Sequence, residues 1–94
     1  MSFIRYIQRL KRIDRLIRRK ATGSPESFAE KLDISVSHLY AIIRDMRELG
    51  APIKYCRHRG SYYYEYEVCF LAEFFDDDQL GKLRGGTASF FRPL

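Results

Sequence analysis

The chain has 94 residues, 46% of them hydrophobic and 15% aromatic, which suffices for one small domain with its own core and no metal or disulfide staple. Its net charge of +5 is unevenly spread: 14 Lys and Arg stand against 6 Asp and Glu through Gly60, a net +8, whereas 3 stand against 6 from Ser61 onward, a net −3. A basic N-terminal portion is the electrostatic footprint of a nucleic-acid partner, with a merely solvated face as the plain alternative; no apolar run reaches membrane-spanning length and no signal-peptide pattern occurs, so the chain reads as cytoplasmic, without membrane contact.

Residues 2–20 carry the strongest helical pattern, with Phe3, Tyr6, Ile7, Leu10, Ile13 and Ile17 on one side and Arg5, Arg12, Arg15 and Arg19 opposite. Transit peptides and membrane-surface helices share this basic amphipathic character, but the helices that follow need a closing partner and this segment supplies it. Asp14 falls inside the apolar stripe. Arg18, one turn on, is its natural pair, and a buried partner elsewhere is the alternative. The first eight residues could extend the helix past the domain and pack against a second subunit.

After the loop Ala21-Thr22-Gly23, Ser24 and Pro25 mark a helix start: a hydroxyl to accept an orphan N–H, then a residue that needs none. Phe28, Ala29 and Leu32 form its apolar side, and Asp33-Ile34 breaks the pattern. Ser35 caps a second helix in which Val36, Leu39, Ile42, Ile43, Met46 and Leu49 face the core and which Gly50 ends. At 100° per residue the outward face carries Ser37, Ala41, Arg44 and Glu48, flanked by Tyr40 and Arg47 on one side and His38 and Asp45 on the other. Two helices joined by so short a turn, the second presenting small, polar and basic groups, predict a helix-turn-helix with the second helix as reader.

From Ile53 the period changes to two. Ile53–Cys56 and Ser61–Phe70 read as strands around the turn Arg57-His58-Arg59-Gly60, with Tyr62, Tyr64, Tyr66, Val68 and Phe70 on one face. This tyrosine ladder reads as sheet packing rather than as a base-stacking platform.

Taken together, Leu10, Ile13 and Ile17, then Phe28-Ala29-Glu30-Lys31-Leu32, then Ser35, Leu39, Tyr40, Ile43, Met46 and Gly50-Ala51-Pro52-Ile53 resemble the winged helix-turn-helix domain at the N-terminus of DeoR-like and WYL-domain bacterial transcriptional regulators and the biotin repressor. The likeness covers about residues 9 to 66. It implies an α+β fold, a three-helix bundle followed by a β-hairpin wing, here expected over residues 1–70; residues 71–94 do not belong to the family pattern and read as a C-terminal extension that folds back or serves dimerisation. It departs where such regulators often carry Thr (here His38) and an Arg-Asp pair (here Ala41-Ile42), so base specificity does not carry across.

The extension places Phe74-Phe75 and Phe90-Phe91 on either side of Asp76-Asp77-Asp78 and a Gly-rich stretch, and such apolar pairs call for burial, with dimerisation the leading expectation. Cys56 and Cys69 form no CxxC pair and read as reduced sheet residues; no metal, cofactor or catalytic constellation emerges, so an enzyme is not expected.

The functional expectation is a small homodimeric DNA-binding regulator. Ser37, His38 and Ala41 approach base edges, Tyr40, Arg44 and Arg47 reach phosphates or bases, the Ser35 cap region holds a phosphate, and Lys54, Arg57, His58 and Arg59 of the wing meet the backbone or minor groove of double-stranded DNA. The alternative is a protein-interaction module acting through the aromatic wing and the Phe-rich tail.

Overall fold

A computed structural model describes residues 3–71 and 90–94. Among these the chain is α+β: three helices, α1 (Phe3–Arg18), α2 (Pro25–Leu32) and α3 (Val36–Glu48), precede four short strands, β1 (Ile53–Cys56), β2 (Ser61–Tyr64), β3 (Val68–Phe70) and β4 (Phe91–Pro93). The strands form two antiparallel pairs, β1 with β2 and β3 with β4.

Helix boundaries follow local chemistry. Ser24 Oγ accepts the Ser27 N–H at 3.2 Å and Ser35 Oγ accepts the His38 N–H at 3.0 Å, so each serine satisfies a donor that the first turn leaves free. Each helix closes on a residue in the left-handed region: Lys20 (φ 53°) after α1, Asp33 (φ 57°) after α2 and Gly50 (φ 102°) after α3. Beyond Gly50, the Ala51 N–H reaches back to Met46 O at 2.9 Å, turning the chain into β1.

The core gathers Ile7, Leu10, Ile13 and Ile17 of α1, Phe28 and Leu32 of α2, Leu39, Ile42, Ile43 and Met46 of α3, and Ile53, Tyr62, Val68, Phe70, Phe90 and Phe91. These are the apolar stripes expected from the helical spacing. The start of α1 does not project away as anticipated: Phe3, Ile4 and Tyr6 pack on the chain's own core, and the Tyr6 hydroxyl donates to Asp45 Oδ2 at 3.4 Å.

The expected single strand over Ser61–Phe70 is two strands. β1 is only four residues long, so β2 loses its partner after Tyr64, which lies opposite Ile53. One more backbone bond, Glu65 N–H to Pro52 O at 2.8 Å, ends that ladder, and β3 takes β4 instead, with Phe70 opposite Phe91. The alternation survives the break, with Tyr62, Val68 and Phe70 buried, but Tyr66 sits at the break and is 50% exposed. Phe70 and Phe91 stack with ring centres 4.5 Å apart, and the Phe90 and Phe91 N–H groups both donate to Leu49 O at 3.1 Å. Phe90 and Phe91 are thus interior, whereas Phe74, Phe75 and Asp76 to Asp78 lie outside the described residues.

Two polar clusters pin α1 and its loop to the strands. Asp14 is 2% exposed; Arg18 Nε donates to both of its oxygens at 3.0 Å, and the Tyr64 hydroxyl donates to Oδ1 at 2.6 Å. The partner one turn away and a buried partner elsewhere are both realised. Arg18 also donates to Val68 O at 2.7 Å, so one guanidinium links α1 with β3. Buried Thr22 exchanges bonds with Ser61 and accepts the Tyr62 N–H at 2.9 Å. No buried side-chain polar atom among the described residues lacks a partner. Cys56 and Cys69 are free thiols on β1 and β3. No described helix is long and apolar enough to cross a membrane, and no described cluster of His, Cys, Asp or Glu could hold a metal ion.

Candidate nucleic-acid interface

α3 turns Leu39, Ile42, Ile43 and Met46 inward, and this fixes what it turns outward: Ser37, His38, Tyr40, Arg44, Arg47 and Glu48 are exposed and Ala41 is half-buried. The two flanks of the face differ. On one, Asp45 receives the Tyr6 hydroxyl of α1, with His38 on the same side. On the other, Arg47 Nε donates to Ile53 O at 3.2 Å, which fixes the end of α3 against the start of the β1–β2 hairpin. Arg47 therefore has a structural task besides any ligand contact. Ser35 likewise has its hydroxyl occupied as the α3 cap, where it accepts the His38 N–H.

The hairpin turn Arg57-His58-Arg59-Gly60 closes with the Gly60 N–H on Cys56 O at 2.8 Å, and Gly60 (φ 63°) supplies the left-handed backbone. Arg57, His58 and Arg59 are exposed at its tip. Lys54 does not join the α3-side residues of the hairpin: it lies opposite Tyr63 in the register, on the face reversed from Tyr55. On that reverse face Lys20, Cys56, Arg59 and Tyr63 line a shallow groove of about 200 Å³. The structure thus places Arg47 beside the hairpin with Tyr40 on the same flank of α3, Arg44 on the outward face between the flanks, His38 on the far flank and Lys54 on the reverse of the hairpin.

One residue of this region escapes the pattern reading. Tyr55 is 37% exposed and lies opposite Tyr62, its ring edge-on at 4.9 Å between centres. Tyr40 is 52% exposed on the α3 flank that faces the hairpin. Burial pushes the Tyr62 hydroxyl up, Tyr40 adds to the rise, Arg47 opposes it, and Tyr55 and Glu26 raise it further. Only the β1–β2 register reveals the place of Tyr55 beside Tyr62, and a register is not written in a four-residue strand.

The α1 cations serve the scaffold in part. Arg12 donates to Lys31 O at 2.7 Å, and Lys31 Nζ donates to Ala21 O at 2.8 Å, holding the α1–α2 connection. The surface is therefore a rigid corner of one helix face and one hairpin, carrying exposed guanidinium, imidazole, hydroxyl and phenol groups. It can donate hydrogen bonds to anionic oxygens and present rings to flat partners. No family model, curated protein or solved structure matches the chain.

Proposed function

We propose that the chain is a winged helix-turn-helix DNA-binding protein, a small cytoplasmic regulator of the DeoR-like kind that acts as a homodimer on double-stranded DNA. The observation that carries this reading is the pairing of an outward α3 face (Ser37, Ala41, Arg44) with a hairpin tip of Arg57, His58 and Arg59, the two fixed together by Arg47 on Ile53 O. α3 is 13 residues, about 20 Å, long and can lie in a major groove. Ser37 and Ala41 approach base edges, Arg44 reads a base or a phosphate, and the wing reaches the backbone or minor groove. The uneven charge supports a polyanionic partner: α3 and the hairpin, residues 36–60, carry 5 Lys and Arg against 2 Asp and Glu, a net +3, and residues 1–20 carry 8 against 1, a net +7.

Glu48 brings a carboxylate to the C-terminal end of the face and sets a limit on how deeply that end approaches phosphates. The competing reading, a protein-interaction module, loses part of its surface because Phe90 and Phe91 are buried in the chain's own core. The two readings separate on the double variant Arg44→Ala with Arg59→Ala, both at exposed positions. Duplex binding is expected to disappear at physiological salt while circular dichroism and melting stay unchanged. Undiminished duplex binding by the folded variant would contradict the assignment of this corner.

A further inference from the structure

The break between β2 and β3 opens a cavity apart from the proposed duplex surface. On a continuous strand successive side chains point to opposite faces, so four neighbours in a row do not line one space. Tyr64, Glu65, Tyr66 and Glu67 all do, because the chain leaves the β1 side after Glu65 and takes up β4 at Val68. The end of α1 supplies the other wall with Ile17, Arg18 and Lys20, and Leu94, whose N–H donates to Glu67 O at 3.1 Å, completes the lining. The space measures about 500 Å³, within the range of small-molecule sites.

The two walls differ in charge. Arg18 is held by Asp14 and by the Tyr64 ring, whose centre lies 5.2 Å from the guanidinium carbon. Its Nε–H goes to Asp14 and one Nη2–H to Val68 O, which leaves three of the five guanidinium N–H groups to donate elsewhere, on a side chain 38% exposed. Asp14 balances the charge of Arg18 but not these donors, so the net positive charge of the α1 wall is that of exposed Lys20. The strand wall carries the exposed carboxylates of Glu65 and Glu67. Ile17, half-exposed Tyr66 and Leu94 add apolar and aromatic surface. A polyanion is repelled by the two glutamates, and a simple cation leaves the Arg18 donors and the Lys20 charge unanswered. A small molecule with one anionic and one cationic group on an apolar body satisfies both walls.

We infer that this cavity binds a small zwitterion with an apolar body, of the amino-acid class: its carboxylate on Arg18 and Lys20, its ammonium on Glu65 and Glu67, and its side chain against Tyr66 and Leu94. None of the residues assigned to duplex contact lines the cavity, so this site stands or falls separately from DNA binding.

The test titrates the full chain, without DNA, with L-phenylalanine and with L-leucine, following the amide shifts of isotope-labelled protein by NMR. Saturable shifts are expected for at least one of the two, centred on residues 17–20, 64–67 and Leu94. Each amino acid is paired with the analogue that lacks its ammonium (hydrocinnamate, isocaproate) and the one that lacks its carboxylate (phenethylamine, isoamylamine). Losing either charge should weaken binding about tenfold or more, the worth of one charge-assisted contact. Glu65→Gln with Glu67→Gln, both at exposed positions, should erase the preference over the ammonium-free analogue, and Tyr66→Ala should weaken the amino acid severalfold, with melting unchanged in both. Lys20→Gln should reduce the preference over the carboxylate-free analogue. No saturable shift from either amino acid at tens of millimolar, shifts centred elsewhere, analogues that bind as well as their parents, or a preference that survives in the glutamine double variant overturns the site.

Discussion

Asp14 is a carboxylate at a core position of α1, and its three bonds decide what its neighbours can tolerate. Arg18→Ala strips it of its cation; because Arg18 is itself 38% exposed and water can enter, the loss should fall near the lower end of the range for broken buried pairs, about 3 kcal/mol. Replacing the cluster together, as Asp14→Leu, Arg18→Met and Tyr64→Phe, should cost less than Arg18→Ala alone, since no buried carboxylate is then left without its cation, while the Val68 carbonyl loses its Arg18 donor in both. Urea denaturation of both variants checks this. The same cluster sets a pH dependence. Burial, then the hydrogen bond and charge of Asp14, push the Tyr64 phenol above its ordinary value of 10.0, with Arg18 opposing. The unfolded chain would release that proton near pH 10 while the folded chain keeps it, so the contribution of Tyr64 is intact below about pH 10 and falls as pH rises. Tyr64→Phe should therefore lower stability at neutral pH yet flatten its decline in alkali. A smaller effect is expected at Ser35, where Ala would remove the α3 cap at a cost of about 1 kcal/mol in melting experiments.

At the scale of elements, β4 is a stabilising strand rather than a free tail. Phe91 stacks on Phe70 and is 2% exposed, so Phe91→Ala should lose about 3 to 5 kcal/mol in chemical denaturation. An effect on assembly with unchanged stability would contradict that placement. The helices were legible in the sequence because their information is local: apolar residues at three- and four-residue steps, Ser24-Pro25, Ser35 and Gly50 all act within a turn or two of themselves. The break after Tyr64 was not, because strand alternation continues through it and the change of partner depends on where β1 begins. The same holds for Thr22, whose bonds to Ser61 and Tyr62 need the folded strand beside it. Of the proposed interface, the outward residues of α3 follow from its period, while the place of Tyr55 beside Tyr62 depends on register and the structural bond of Arg47 on the angle between α3 and the hairpin.

For the whole molecule, the proposed function makes binding a matter of charge first and base contact second. If about five phosphates are neutralised, log affinity should fall against log salt with a slope of about −4 to −5. Arg44→Ala with Arg59→Ala should reduce that slope by about 2, one for each phosphate no longer neutralised. Glu48→Gln, in contrast, should tighten duplex binding without altering the fold, because it withdraws a like charge from the approach to the backbone. The most direct measurement is retention of a random duplex pool by the full chain at two salt concentrations, followed by sequencing of what is held. Steep salt dependence is expected, together with an enriched inverted repeat whose spacing reports the dimer. Weak retention at low salt with no enriched sequence would contradict sequence-specific DNA binding as the function of this chain.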